Sequence, residues 1–77
     1  MNLTSTLGSP NTLLDYVIDK LDLKNDADLA SRLEVDPGMI SRIRHGKLPV
    51  GATILVRIHE ETGDNIRYLK QLAGTKK

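Results

Sequence analysis

The chain has 77 residues, with 11 Lys and Arg against 10 Asp and Glu, and no Cys, Phe or Trp. That length suits one small domain, which buries about two-thirds of the surface its unfolded chain exposes. Without Cys it has no disulfide and no thiolate metal site, and a reducing compartment, the cytoplasm, is expected. No apolar run nears the ~18 residues of a membrane span, and the start lacks the basic and apolar segments of a secretory signal.

Residues 1–9 are polar and read as a flexible leader. A first helix is expected from Ser9-Pro10 or Asn11 to about Leu21, because Ser is a good cap and Pro a good first position. Leu13, Leu14, Val17, Ile18 and Leu21 make its apolar stripe, with Asp15, Asp19 and Lys20 on the other side. Asp15 and Asp19 stand four apart, as an acid/base pair would, but a solvated helix face explains them more simply. Asn25 and Asp28 form a capping-box-like start to a second helix that ends near Leu33. Asp36, as cap, and Pro37 begin a third, which runs to His45 and stops at Gly46.

Leu48-Pro49-Val50-Gly51 is a loop before a fourth helix, which is expected from about Val50 or Gly51 to Thr62 and stops at Gly63. Ala52, Leu55, Val56, Ile58 and His59 are expected on its buried face, and Arg57, Glu60 and Glu61 outside. Asp64 or Asn65 caps a fifth, about Ile66 to Ala73, whose stripe is Ile66, Leu69 and Leu72 or Ala73. A basic tail, residues 75–77, follows. The domain is thus expected over residues 10–74, all-α, with five helices.

The near-neutral total hides an asymmetry. Residues 11–36 carry seven carboxylates against Lys20, Lys24 and Arg32, whereas residues 37–59 carry Arg42, Arg44, Lys47 and Arg57 with no carboxylate. The basic half begins with the third helix, as suits a protein that meets a polyanion with one face.

The window Asp26 to His45 carries the most information. Leu29 and Leu33 are four apart, and Ile40 and Ile43 three apart, so each pair shares one face of its helix. Between them lies Glu34-Val35-Asp36-Pro37, a short break with a helix-start signal. Leu29-Ala30, Leu33, Val35, Ile40-Ser41-Arg42-Ile43 and Gly46-Lys47 together resemble the lambda-repressor/Cro-like (XRE-type) helix-turn-helix family, small phage and prophage regulators above all. The resemblance covers about Leu13 to Leu72.

It implies a compact lambda-repressor-like DNA-binding domain in which Leu29, Ala30, Leu33, Val35, Ile40 and Ile43 form the core of the motif. It further implies a transcriptional regulator, repressor-like, that places a recognition helix over about 37–45 in the major groove of double-stranded DNA. Pro37, Gly38, Ser41, Arg42 and His45 become the base-facing candidates. Asp36 shares that side but is expected to act as a cap. Arg44, Lys47 and the backbone at Gly51 become phosphate candidates. A homodimer, through the fifth helix or its neighbours, would match a two-fold operator.

The chain departs from the family at Glu34, where Gly is usual. That position often takes a positive φ, which costs a non-Gly residue about 1 kcal/mol. Either Glu34 bears the strain or the turn takes another shape. The alternative function is an antitoxin or adaptor of the same fold that meets a protein through the acidic face of the first two helices.

An enzyme is not expected. Ser41 and His45 lie four apart on one helix, but no third group is placed to orient the histidine. No cofactor is implied, and no metal: His59 and Glu60 are adjacent and point apart, and His45 with His59 is two ligands too few.

Overall fold

Three helices begin on a capping side chain that the sequence supplies. The computed structural model describes residues 8–74, and expectations for residues 1–7 and 75–77 lie outside them. Five helices form in the order α1 (Pro10–Lys20), α2 (Asp26–Leu33), α3 (Pro37–Arg44), α4 (Ala52–Thr62) and α5 (Ile66–Ala73), with no strand among the described residues. None is long and apolar enough to cross a membrane. Ser9 caps α1 by accepting from the Thr12 amide, Asn25 caps α2 through Asp28, and Asn65 caps α5 through Tyr68. Asp28 does not complete the expected reciprocal box. Its carboxylate accepts instead from the Lys24 amide at 3.1 Å, one residue earlier in the chain.

Three helices in succession end in the same way. The amides of Leu23, Val35 and Lys47 reach back five residues to the carbonyls of Ile18, Ala30 and Arg42 at 2.8, 3.0 and 2.8 Å. This closure needs one residue in the left-handed region just before the donor. The three that take it are Asp22, Glu34 and Gly46, with φ of 58°, 60° and 74°. Glu34 therefore bears the strain of the left-handed conformation. Asp22 does the same in a stretch that reads only as a connector. His45 lies just outside α3, at its C-cap.

The core is entirely aliphatic. Leu13, Leu14, Val17, Leu29, Ala30, Leu33, Ile40, Ile43, Ile54, Leu55, Ile58, Leu69 and Ala73 are buried together. Val35, expected with them, is half-buried and packs against their edge. The expectation for α4 needs correcting. Its inward stripe is Ile54, Leu55 and Ile58, while Ala52 and His59 are exposed and Val56 is 41% exposed. Ile54 and Ile58, four apart, set the true phase.

Helix α1 is the hub and touches all four other helices, whereas α3 packs only on α2 and α1. One side of α3 is thus left without a helical neighbour. The other end of the molecule is closed tightly. Ser9 donates its amide to the Leu72 carbonyl at 2.9 Å. A Cβ at Gly8 would lie 2.1 Å from that same oxygen, so only glycine permits the approach. The last two residues of the expected flexible leader are therefore part of the fold.

A polar cluster ties α1 to the link between α4 and α5. The Tyr16 hydroxyl donates to the Asp64 carboxylate, Lys20 Nζ pairs with Asp64 at 3.2 Å, and the Tyr68 ring meets Tyr16 edge-on with centroids 5.9 Å apart. The bond from Tyr16 holds the Asp64 carboxyl below its ordinary pKa and, with burial, raises the Tyr16 phenol above its own.

Candidate nucleic-acid interface

Helix α3 presents two different faces. Ile40 and Ile43 are buried and Met39 is half-buried, which fixes the inward side. Pro37, Ser41, Arg42 and His45 are exposed and Gly38 is partly so, which leaves all five base-facing candidates along the outward side. Pro37 at the first helical position and Gly38 at the second keep the start of this face low.

Asp36 stands at the N-cap of α3, as the sequence predicts, but its side chain makes no capping bond. The Met39 amide is taken at 2.9 Å by the backbone carbonyl of Asp36. The carboxylate is exposed and has no ion-pair partner among the described residues. Sequence reasoning missed it because an Asp before a Pro is a strong cap signal, and which of two oxygens meets the amide cannot be read from residue types.

His45 has one ring nitrogen committed. Its Nδ1 lies 2.8 Å from the Ser41 carbonyl. A carbonyl only accepts, so Nδ1 carries the proton and Nε2 of the neutral ring is an outward acceptor. The ring meets the carbonyl of Ser41 and leaves the serine hydroxyl free.

Arg44 differs from its expected role. Its guanidinium turns onto α2 and α1, with Nε and Nη2 on the two Asp26 oxygens at 3.0 and 2.8 Å. Nη1 pairs with Asp15 at 2.9 Å and donates to Asn11 Oδ1 at 3.0 Å. The side chain is only 20% exposed. Its hydrogen bonds to Asp26, and secondarily to Asp15, raise the pKa of an already permanent cation. Four donor contacts to neighbours turn it onto α1 and α2, where it braces α3 rather than pointing outward.

The same accounting reduces the basic half. Arg57 pairs with Glu34 at 3.1 Å, which links α4 to the turn after α2. Lys20 and Arg32 are paired with Asp64 and Glu61. Of the four cations in residues 37–59, Arg42 and Lys47 have no carboxylate in ion-pair reach among the described residues. The chain matches no family model, no curated protein and no solved structure.

The N-termini of the helices add a second distinction. Asn25 closes α2, and Asp26 and Asp28 sit in its first turn, so that end disfavours an anion. No side chain caps α4 at Gly51 or α3 at Asp36. At α4 the exposed Gly51 is the N-cap, and no side chain occupies the first amides. The arrangement offers hydrogen-bonding side chains on the exposed side of α3, with the Lys47 cation following its end and open amides at the start of α4. It brings together Ser41, Arg42, His45 and Lys47 and removes Arg44.

Proposed function

We propose that the chain is a sequence-specific double-stranded DNA-binding transcriptional regulator, repressor-like, with the lambda-repressor/Cro-like helix-turn-helix fold. The observation that carries this reading is the outward face of α3, where Ser41, Arg42 and His45 are exposed and Arg42 is unpaired among the described residues. Two eight-residue helices joined through a left-handed Glu34 support the fold assignment, because that closure turns the chain sharply within three residues. In this reading α3 lies in the major groove and Arg42 bonds O6 and N7 of a guanine. Ser41 and the Nε2 of His45 meet neighbouring bases. Lys47 and the open amides after Gly51 hold phosphates, which position the helix without specifying sequence.

The regulator acts in the cytoplasm as a homodimer, with two copies of α3 about one DNA turn (~34 Å) apart on a two-fold operator. Selection of bound sites from a random duplex library tests all of this at once. The expected outcome is a two-fold site whose affinity falls steeply with salt, with a log–log slope of about −0.9 per phosphate neutralised. Weak binding that ignores salt would instead point to an adaptor or antitoxin, with a protein partner on the α1–α2 surface. On that surface Arg44 pairs with Asp15 and Asp26, while Asp19, Asp22 and Asp28 have no ion-pair partner among the described residues.

A further inference from the structure

Resting on the DNA-binding reading above, we propose that Asp36 and Arg42 act as a pair that selects a cytosine and a guanine within one dinucleotide step of the major groove. The two side chains start six residues apart, yet they converge over Gly38. A Cβ placed on Gly38 would lie 3.1 Å from Asp36 Oδ2 and 3.5 Å from Arg42 Nη1. Both groups thus close on one point that the glycine leaves vacant. Neither has an ion-pair partner among the described residues, and the carboxylate makes no cap. Both are exposed on the outward side of α3.

The chemistry of the two groups is complementary to one kind of base step. A guanidinium donates two bonds in a fork, which fits the O6 and N7 acceptors of guanine. A carboxylate only accepts, so it fits the N4 amino group of cytosine and is repelled by the acceptor-only major-groove edge of guanine. Stacked base pairs are ~3.4 Å apart, so groups this close reach the same pair or adjacent ones. The carboxylate also repels phosphates, so Asp36 weakens binding to random duplex while it favours the matched step. An uncompensated acid on the face of a polyanion binder then has a reason to be there: it raises the ratio of specific to random binding.

The test compares sites selected from a random duplex library by the full chain and by Asp36→Ala, Asp36→Asn and Arg42→Ala. Thermal melts verify that each variant folds, which is expected because neither side chain is packed. The unaltered chain should select a guanine at one base pair and a cytosine, on a defined strand, at the neighbouring pair, rather than one isolated G·C pair. Arg42→Ala should cut the guanine preference by roughly tenfold or more. Asp36→Ala should cut the cytosine preference about tenfold and raise affinity for random duplex. Asp36→Asn should go further and shift that position toward adenine, because a carboxamide both donates and accepts, as the adenine edge requires. No purely structural role for Asp36 predicts a change of base.

If the Asp36 variants keep the parent's base profile while the parent selects a defined site, the pairing is wrong and the DNA-binding reading stands. If the parent selects no site at all, the DNA-binding reading falls and the pairing goes with it.

Discussion

Arg44 holds Asp26 at two points, with Nε and Nη2 each on one carboxylate oxygen, and in doing so joins the end of α3 to the start of α2. A fork on a carboxylate fixes direction as well as distance, and Asp15 and Asn11 extend the grip to α1. Because α3 has no other helical neighbours than α1 and α2, this cluster and the Ile40–Ile43 stripe together set its tilt. Arg44→Ala should cost about 1–2 kcal/mol, more than an exposed pair and less than a fully buried one. Each kcal/mol lowers the Tm of a domain this size by about 4–8 °C. Arg44→Lys should recover little of the loss, since an ammonium cannot make the fork. The decisive measurement is the salt slope of DNA binding. A brace leaves the slope unchanged, whereas a drop of about one unit on Arg44→Ala would return this residue to the phosphates.

The left-handed residues that close α1 and α2 predict a gain in stability. Glu34 at φ 60° and Asp22 at φ 58° occupy conformations that glycine adopts without strain. Glu34→Gly should stabilise the fold by about 1 kcal/mol, even after losing its exposed pair with Arg57, which contributes little. Asp22→Gly should gain less, because Asp tolerates this region better than Glu. Denaturant midpoints measure both, and a lower midpoint for Glu34→Gly would mean that its ion pair outweighs the strain.

The Tyr16–Asp64–Lys20 cluster sets a pH dependence with two limbs. Asp64 is held below its ordinary pKa, first by the Tyr16 hydroxyl. Its contribution is therefore present above about pH 4 and fades as pH falls through its lowered folded value. Tyr16 is raised, first by Asp64, and Lys20 is raised, first by Tyr16. Their contributions are whole below about pH 10 and fade as pH rises through their folded values. Asp64→Asn keeps an acceptor for the tyrosine but removes the charge. It should lower Tm at neutral pH and flatten the dependence at both ends. It should also bring the tyrosinate absorbance change to lower pH. An unaltered titration curve for tyrosine in that variant would show that the cluster is not coupled.

Much of this architecture is legible in the residue pattern. Ser9-Pro10, Asn25 and Asn65 announce three helix starts, and the three- and four-residue spacings in α1, α2, α3 and α5 give their inward faces. Helix α4 misled because apolar residues stand at 52, 54, 55, 56 and 58, so either of two stripes satisfies a count of apolar side chains; packing against α2 and α5 chose the one through Ile54 and left Val56 exposed. The charge pattern was legible only as a sum. Arg44 and Arg57 count as basic surface in a sequence, yet their partners Asp26 and Asp15 lie on other helices and Glu34 in the turn after α2. Pairing over such separations depends on the tertiary fold, which no local pattern carries. Ala30 is the opposite case. A small residue in an aliphatic rhythm signals a close crossing, and it is fully buried in the core. Ala30→Leu should destabilise by about 1–3 kcal/mol through overpacking, visible as an early melt by circular dichroism; an unchanged melt would mean that the crossing has room to spare.

Arg42 and Lys47 offer the sharpest contrast on the candidate interface, because both are exposed and unpaired among the described residues but stand at different places. Arg42 lies in the outward face of α3, and Lys47 follows its end, with its amide bonded back to the Arg42 carbonyl at 2.8 Å. A base contact discriminates by roughly 1–3 kcal/mol, whereas a phosphate contact acts on every sequence alike. Arg42→Ala should therefore weaken the selected site far more than random duplex, and Lys47→Ala should weaken both nearly equally while reducing the salt slope by about one. Titrating each variant against the selected and a scrambled duplex at several salt concentrations separates the two roles. Should Arg42→Ala weaken both duplexes equally, its guanidinium is a backbone clamp, and sequence would have to be read by Ser41 and His45 alone.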